Sequence, residues 1–136
     1  MIWIMKQEDI HLLHRDLCAR FPYKTIVHVH FGAYEFNGII SSMAGGWVRV
    51  DDGAGEQTCN IRDVKPYLRP MESMTEEEKY IWHSKMKYVG YFINYKYYDT
   101  VDSFDYLNSI HVDYRGLIPK GLALPAKEGM YNLNID

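Results

Sequence analysis

Two short patterns bring together residue types that do chemistry. The first is His28-Val29-His30. In an extended strand side chains repeat every two residues, so both imidazoles lie on one face and can offer two nitrogens to one metal ion. Zinc takes three or four ligands. The other candidates (His11, His14, His83, His111, Cys18 and Cys59) stand at no diagnostic spacing. A metal-dependent hydrolase centred on His28 and His30 is therefore the alternative reading. The expectation is that the pair faces solvent and binds no metal, while Val27, Val29 and Phe31 form a core face.

The second pattern is SIHVDYRGLIPKGLALPA, residues 109–126. If it is extended, His111, Asp113 and Arg115 share one face; if helical, His111 and Arg115 do. Arginine can grip an anionic group through two parallel hydrogen bonds. Tyrosines from the surrounding sequence can stack on a base. His111, Tyr114, Arg115, Tyr91 and Tyr95 are thus the candidate ligand-binding residues, with a small nucleotide-like molecule as the ligand. The competing reading is a structural joint. Gly116 then serves as a left-handed helix stop, Pro119 bars continuation, and Arg115 pairs with Asp113 or a terminal carbonyl. The joint accounts for Gly116, Pro119 and Arg115 together, whereas a ligand site accounts only for the arginine. The joint is preferred.

Other chemistries lack their signatures. Cys18 falls on an apolar helical stripe, and Cys59 has no Lys or His nearby in its strand, so neither has a thiolate-stabilising setting. Ser41-Ser42 is in no nucleophile elbow. Ala44-Gly45-Gly46 precedes a strand and has no following Lys-Ser/Thr, so it is no phosphate loop. Glu76–Glu78 suit the first turn of a helix. No enzyme activity and no cofactor are expected.

Apolar residues are 47% and charged residues 24% of 136, which is globular rather than disordered composition. Net charge is −3. Residues 1–70 carry eight basic and eight acidic side chains, and residues 71–136 seven and ten. Neither part has the basic excess that extended nucleic acid demands. Two cysteines make no disulfide framework. No apolar run is long enough to cross a membrane, and MIWIM is too short for a signal core. A cytoplasmic, reduced setting is expected. Tyrosine supplies 12 residues, which suits a core with wet edges or a binding surface, and an oligomer is compatible with it.

The elements that must position these residues follow from periodicity. Ile10, Leu13, Leu17 and Cys18 have helical spacing within Gln7–Arg20, and Pro22 ends the run. Residues 25–31, 34–43, 47–50 and 57–64 read as strands joined by Gly- and Asp-rich turns, with a bend at Gly38. Lys65–Met71, with two prolines, closes the sheet region. Thr75 and Glu78 form a capping box for a second helix whose stripe is Ile81, Trp82, Met86 and Val89. Tyr88–Tyr98 is compatible with strand or helix, and Asp99–Ile110 reads as a third helix. The fold class is α+β: an N-terminal helix, a small bent antiparallel sheet or SH3/Sm-like partial barrel over 1–70, and a helical C-terminal part over 71–136 packed on it.

The phrases ARFPYKTIVHV, DVKPYLRPMESMTEEE and DYLNSIHVDYRGLIPKGLALPAKEGMY resemble a group of short proteins carried by phages, prophages and other mobile elements of gut anaerobic bacteria. The shared text, including KPYLRPM-x-SMTEEE and DYRGLI-x-KGLAL, covers most of the chain except residues 1–4 and the Tyr-rich middle. The resemblance brings no catalytic residues. It implies a phage accessory protein, such as a counter-defence inhibitor that sequesters a host protein or a nucleotide-like signal.

Overall fold

The computed structural model describes residues 5–92, 95–99 and 101–131, with backbone alone for 87–92 and 95–99. Helix α1 (Gln7–Arg20) opens the chain and is followed by a short 3-10 turn, Phe21–Tyr23. Strands β1 (Ile26–Phe31), β2 (Tyr34–Ala44), β3 (Trp47–Asp51) and β4 (Glu56–Asn60) form an antiparallel meander. A 3-10 turn, Ile61–Asp63, leads into β5 (Val64–Leu68), which returns antiparallel to β1. The C-terminal part holds α2 (Glu76–Ser84), a hairpin of β6 (Lys87–Phe92) and β7 (Tyr95–Asp99), α3 (Val101–Ser109) and the two-residue β8 (Leu124–Pro125). The main sheet runs β4-β3-β2-β1-β5-β8, with β8 parallel to β5. It is a mixed, unclosed sheet, and the architecture is α+β.

Alternation in the strands builds the core. Val27 and Val29 of β1 are buried, as are Val48 and Val50 of β3, and they pack with Leu13 and Leu17 of α1. The sheet curls at Gly38, where a Cβ would lie 2.5 Å from Val50 Cγ1 and 2.6 Å from the Asp51 carbonyl oxygen. Real side chains never come so close, so glycine is what lets β3 cross β2 there. A bulge between Ile40 and Ser42 adds to the bend.

Several sequence expectations shift. The fourth strand stops at Asn60, because the Asn60 side chain accepts the Arg62 N–H (2.9 Å) and starts a 3-10 turn. Lys65–Leu68 does not close the sheet but forms part of β5. Pro66 precedes Tyr67 and Leu68, the two residues that pair with β8. Thr75 caps α2 as read, with Thr75 Oγ1 accepting from Glu78 N (3.1 Å) and Glu78 accepting from Thr75 N (2.8 Å). Helix α2 ends at Ser84, so Met86 and Val89 lie beyond it. Residues 88–92 and 95–98 are hairpin strands.

The stop of α3 is His111, not Gly116. His111 adopts φ +63°, its N–H donates to Asn108 O (3.1 Å), and Val112 N donates to Leu107 O (3.1 Å). This is the two-bond Schellman closure, with Val112 packed in the same cluster as Leu107. Gly116 has φ +75° in a separate turn, whose Leu117 and Ile118 amides donate to Asp113 (2.8 and 2.9 Å). That turn delivers Leu117 and Leu122 to the core.

Candidate functional site

Residues 109–126 tie α3 to both α1 and the sheet. Arg69 N donates to His111 O (2.7 Å) and Asp113 N to Arg69 O (2.8 Å), while Ala126 N donates to Leu68 O (2.8 Å). The His111 ring is buried, stacks on Tyr131 with centroids 3.7 Å apart, and lies 3.2 Å from Thr25 Oγ1. Burial, then the Arg20 and Arg69 charges, lowers its pKa to about 4. Tyr131 in turn accepts from Ile26 N (2.9 Å) and donates to Tyr67 O (2.7 Å), so its hydroxyl bridges β1 and β5. Burial raises the Tyr131 pKa.

Arg115 pairs with Asp16 of α1 (2.9 Å) rather than with Asp113, whose carboxylate is occupied by the two turn amides. Asp16 also takes Arg20 (3.1 Å), and both are fully buried. Arg20 donates to Val112 O (2.7 Å), while its Nη1 has no hydrogen-bond partner among the described residues. The two guanidiniums flank the Tyr114 ring at 5.2 and 4.6 Å, and Tyr114 Oη donates to Asn108 (3.0 Å). Tyr114 and Arg115 are thus together, while His111 makes its own contacts with Thr25 and Tyr131. The side chains of Tyr91 and Tyr95 lie outside the described residues.

His30 is exposed, as expected, but His28 is not a free solvent group. Its Nε2 lies 2.8 Å from Glu35 Oε1 and its Nδ1 2.8 Å from Asn37 Oδ1, which also accepts from Tyr67 Oη (3.2 Å). The parity that puts His28 opposite Asn37 and Lys65 also makes this face polar. Both ring nitrogens are engaged. Among the described residues no group of three or more His, Cys, Asp or Glu is arranged to hold a metal ion. A groove of about 790 Å³ runs over this face, flanked by Lys65, Lys127 and Arg62.

The feature that sequence reading missed lies on the opposite face of the β1–β2 tip. Val29, Phe31, Tyr34 and Phe36 share that face by register. The hairpin outruns the core, so Phe31 is 65% and Tyr34 75% exposed, and Trp47 of β3 is 54% exposed. Together with β4 and the following 3-10 turn they line a groove of about 890 Å³. Its charges are Asp52 and Asp63 against Arg62, while Glu35 borders it from β2 with its carboxylate on His28 across the hairpin. The Ala54 and Gly55 amides of the Asp-rich turn hold the Asp52 carboxyl below its usual range. Cys59 in the wall has its thiol pKa raised by burial and then by Asp63, which disfavours a nucleophilic thiolate.

No family model matches this chain, and no match was found among curated proteins or solved structures. Among the described residues no helix is long and apolar enough to cross a membrane.

Proposed function

We propose that this chain is a non-catalytic binding protein of phage or mobile-element origin, which sequesters a host protein through the aromatic groove. One observation carries the reading: Phe31, Tyr34 and Trp47 are exposed around a single groove rather than scattered. Isolated exposed apolar residues are ordinary, whereas a contiguous aromatic patch marks an interaction surface. Aromatic residues are enriched where proteins meet proteins. Two carboxylates against one guanidinium disfavour a phosphate, which favours a protein over a nucleotide in this groove.

A second reading rests on the neighbouring groove. Lys65, Lys127 and Arg62 there outnumber Glu35 and Asp63, so it suits the phosphate of a nucleotide-like ligand. One experiment separates the two. Affinity capture from bacterial lysate is run with wild type and with Trp47→Ser, which should keep the wild-type melting temperature because Trp47 is more than half exposed. The captured protein is identified by mass spectrometry, purified, and its Kd measured. Loss of about 2 kcal/mol, roughly 30-fold in Kd, is expected for an aromatic hot spot. Equal affinity of the two proteins refutes the groove reading. A melting-temperature rise with nucleotides, abolished by Lys127→Ala, favours the second.

A further inference from the structure

We propose that the groove takes its partner by strand addition: an extended, basic segment of another protein pairs with the open edge of β4. The inference rests on the groove being the docking surface.

The backbone sets which groups are on offer. Asp52 N donates to Gly55 O (3.0 Å) at one end of the β3–β4 ladder, and Ile61 N to Gly46 O (3.0 Å) at the other. Antiparallel pairs alternate between those that exchange both bonds and those that exchange none. With Val48 opposite Cys59 and Val50 opposite Gln57, these two pairs are the bonded ones. The N–H and C=O groups of Glu56, Thr58 and Asn60 therefore point away from β3. Strand β4 is the end of the sheet, and no strand pairs with that side among the described residues.

Two further observations favour an occupant there. Proteins blunt exposed edges with lysine, proline or bulges. EQTCN has none of the three, and its one charge, Glu56, is paired with Arg49 of β3, whereas the opposite end of the sheet is finished by a two-residue strand containing Pro125. Gln57, Thr58, Cys59 and Asn60, four successive residues whose side chains alternate in direction, all line the groove. The groove thus takes in the strand's edge and not one face alone.

Charge selects the partner. Between residues 49 and 63 there are four acidic and two basic side chains, and Arg49 is already paired with Glu56 (3.3 Å). Asp52 and Asp63 line the groove itself. A second copy of this chain would set these carboxylates against each other. A lysine- or arginine-bearing strand would neutralise them and lay its cationic groups over the Trp47 and Tyr34 rings.

The test uses the full chain and four eight-residue peptides: alternating Lys-Val, alternating Glu-Val, and two Lys-Val peptides N-methylated at alternate residues, one in each phase. Calorimetry gives Kd, and amide hydrogen exchange reports on β4. The Lys-Val peptide should bind and slow exchange at Glu56, Thr58 and Asn60. The Glu-Val peptide and one N-methylated phase should bind at least tenfold more weakly. Thr58→Pro removes an outward N–H without touching the β3 ladder, so it should weaken binding at least tenfold in a folded protein. Failure of that variant to fold leaves exchange and N-methylation to decide. Binding that survives Thr58→Pro and both N-methylated phases, with no new protection in β4, overturns strand addition but leaves the groove as the docking surface. Equal binding of Glu-Val, or no binding of Lys-Val, overturns the basic partner. A dimer by light scattering that Thr58→Pro dissociates gives the edge to a second copy and also overturns the proposal. Binding of Lys-Val that is indifferent to Trp47→Ser removes the groove reading itself.

Discussion

His111 makes the fold sensitive to acid, and its share of that sensitivity can be isolated. The ring is buried against Tyr131 and Thr25, with Arg20 and Arg69 adding positive charge nearby. Its pKa falls from 6.5 to about 4 on folding. The native state therefore binds fewer protons than the unfolded chain between these values. The stabilisation is complete above pH 6.5 and is lost as pH falls through about 4. Linkage puts the total at about 3 kcal/mol, and about 2 kcal/mol of it disappears between pH 7 and pH 5. The matched variant is His111→Asn, because asparagine tolerates the left-handed backbone at φ +63° and cannot titrate. Urea denaturation at both pH values is the assay. The wild-type midpoint should fall by roughly 1 M more than the variant's, given a slope of about 2 kcal/mol/M. Parallel loss of stability in the two proteins would show that His111 is not held neutral, and would sink the argument.

Four other substitutions address the joint and the cap. Asp16→Ala leaves the buried Arg20 without its carboxylate and should cost about 3–5 kcal/mol by urea denaturation, whereas Arg115→Ala leaves the Asp16–Arg20 pair intact and should cost only about 1–2 kcal/mol with partner affinity unchanged. Gly116→Val forces a β-branched residue to φ +75° and should lower stability by about 1–3 kcal/mol, although a Cβ there has open space around it. Thr75→Ala removes one half of the capping box and should cost about 1 kcal/mol, read as a drop in melting temperature of roughly 3 °C.

What sequence could reveal was local. The bounds of α1 follow from apolar spacing closed by a proline, and the α2 cap from two residues three apart. The bend at Gly38 was readable because a glycine inside a strand marks a close approach, here that of Val50 and Asp51. Strand β5 was missed because two prolines near one another read as an ending. Its partner β8 lies more than fifty residues further on, and a parallel pair leaves no turn signal between its strands. Asp16 and Arg20 lie mostly off the apolar stripe of α1, which by itself gives no sign of burial. They are buried because a third charge, Arg115, and the Val112 carbonyl arrive from the far end of the chain.

The aromatic groove was hidden for a related reason. Alternation placed Phe31 on the same face as Val27 and Val29, and that parity is right. Parity does not say where the core stops. The tip of the β1–β2 hairpin extends past the residues that pair with β5 and β3, so the face that is core at Val29 is groove at Phe31. The stretch at 109–126 meanwhile spends its patterned residues on contacts within the chain: Asp113 on turn amides, Arg115 on Asp16, and Leu117 and Leu122 on the core. It finishes the sheet beside β5, while β4, at the opposite end, has no strand on its outer side among the described residues. On the proposed reading, stability and binding draw on different ends of one sheet. Damage to the joint should change how much protein is folded without changing the affinity of the folded fraction, and truncation of Trp47 should do the reverse.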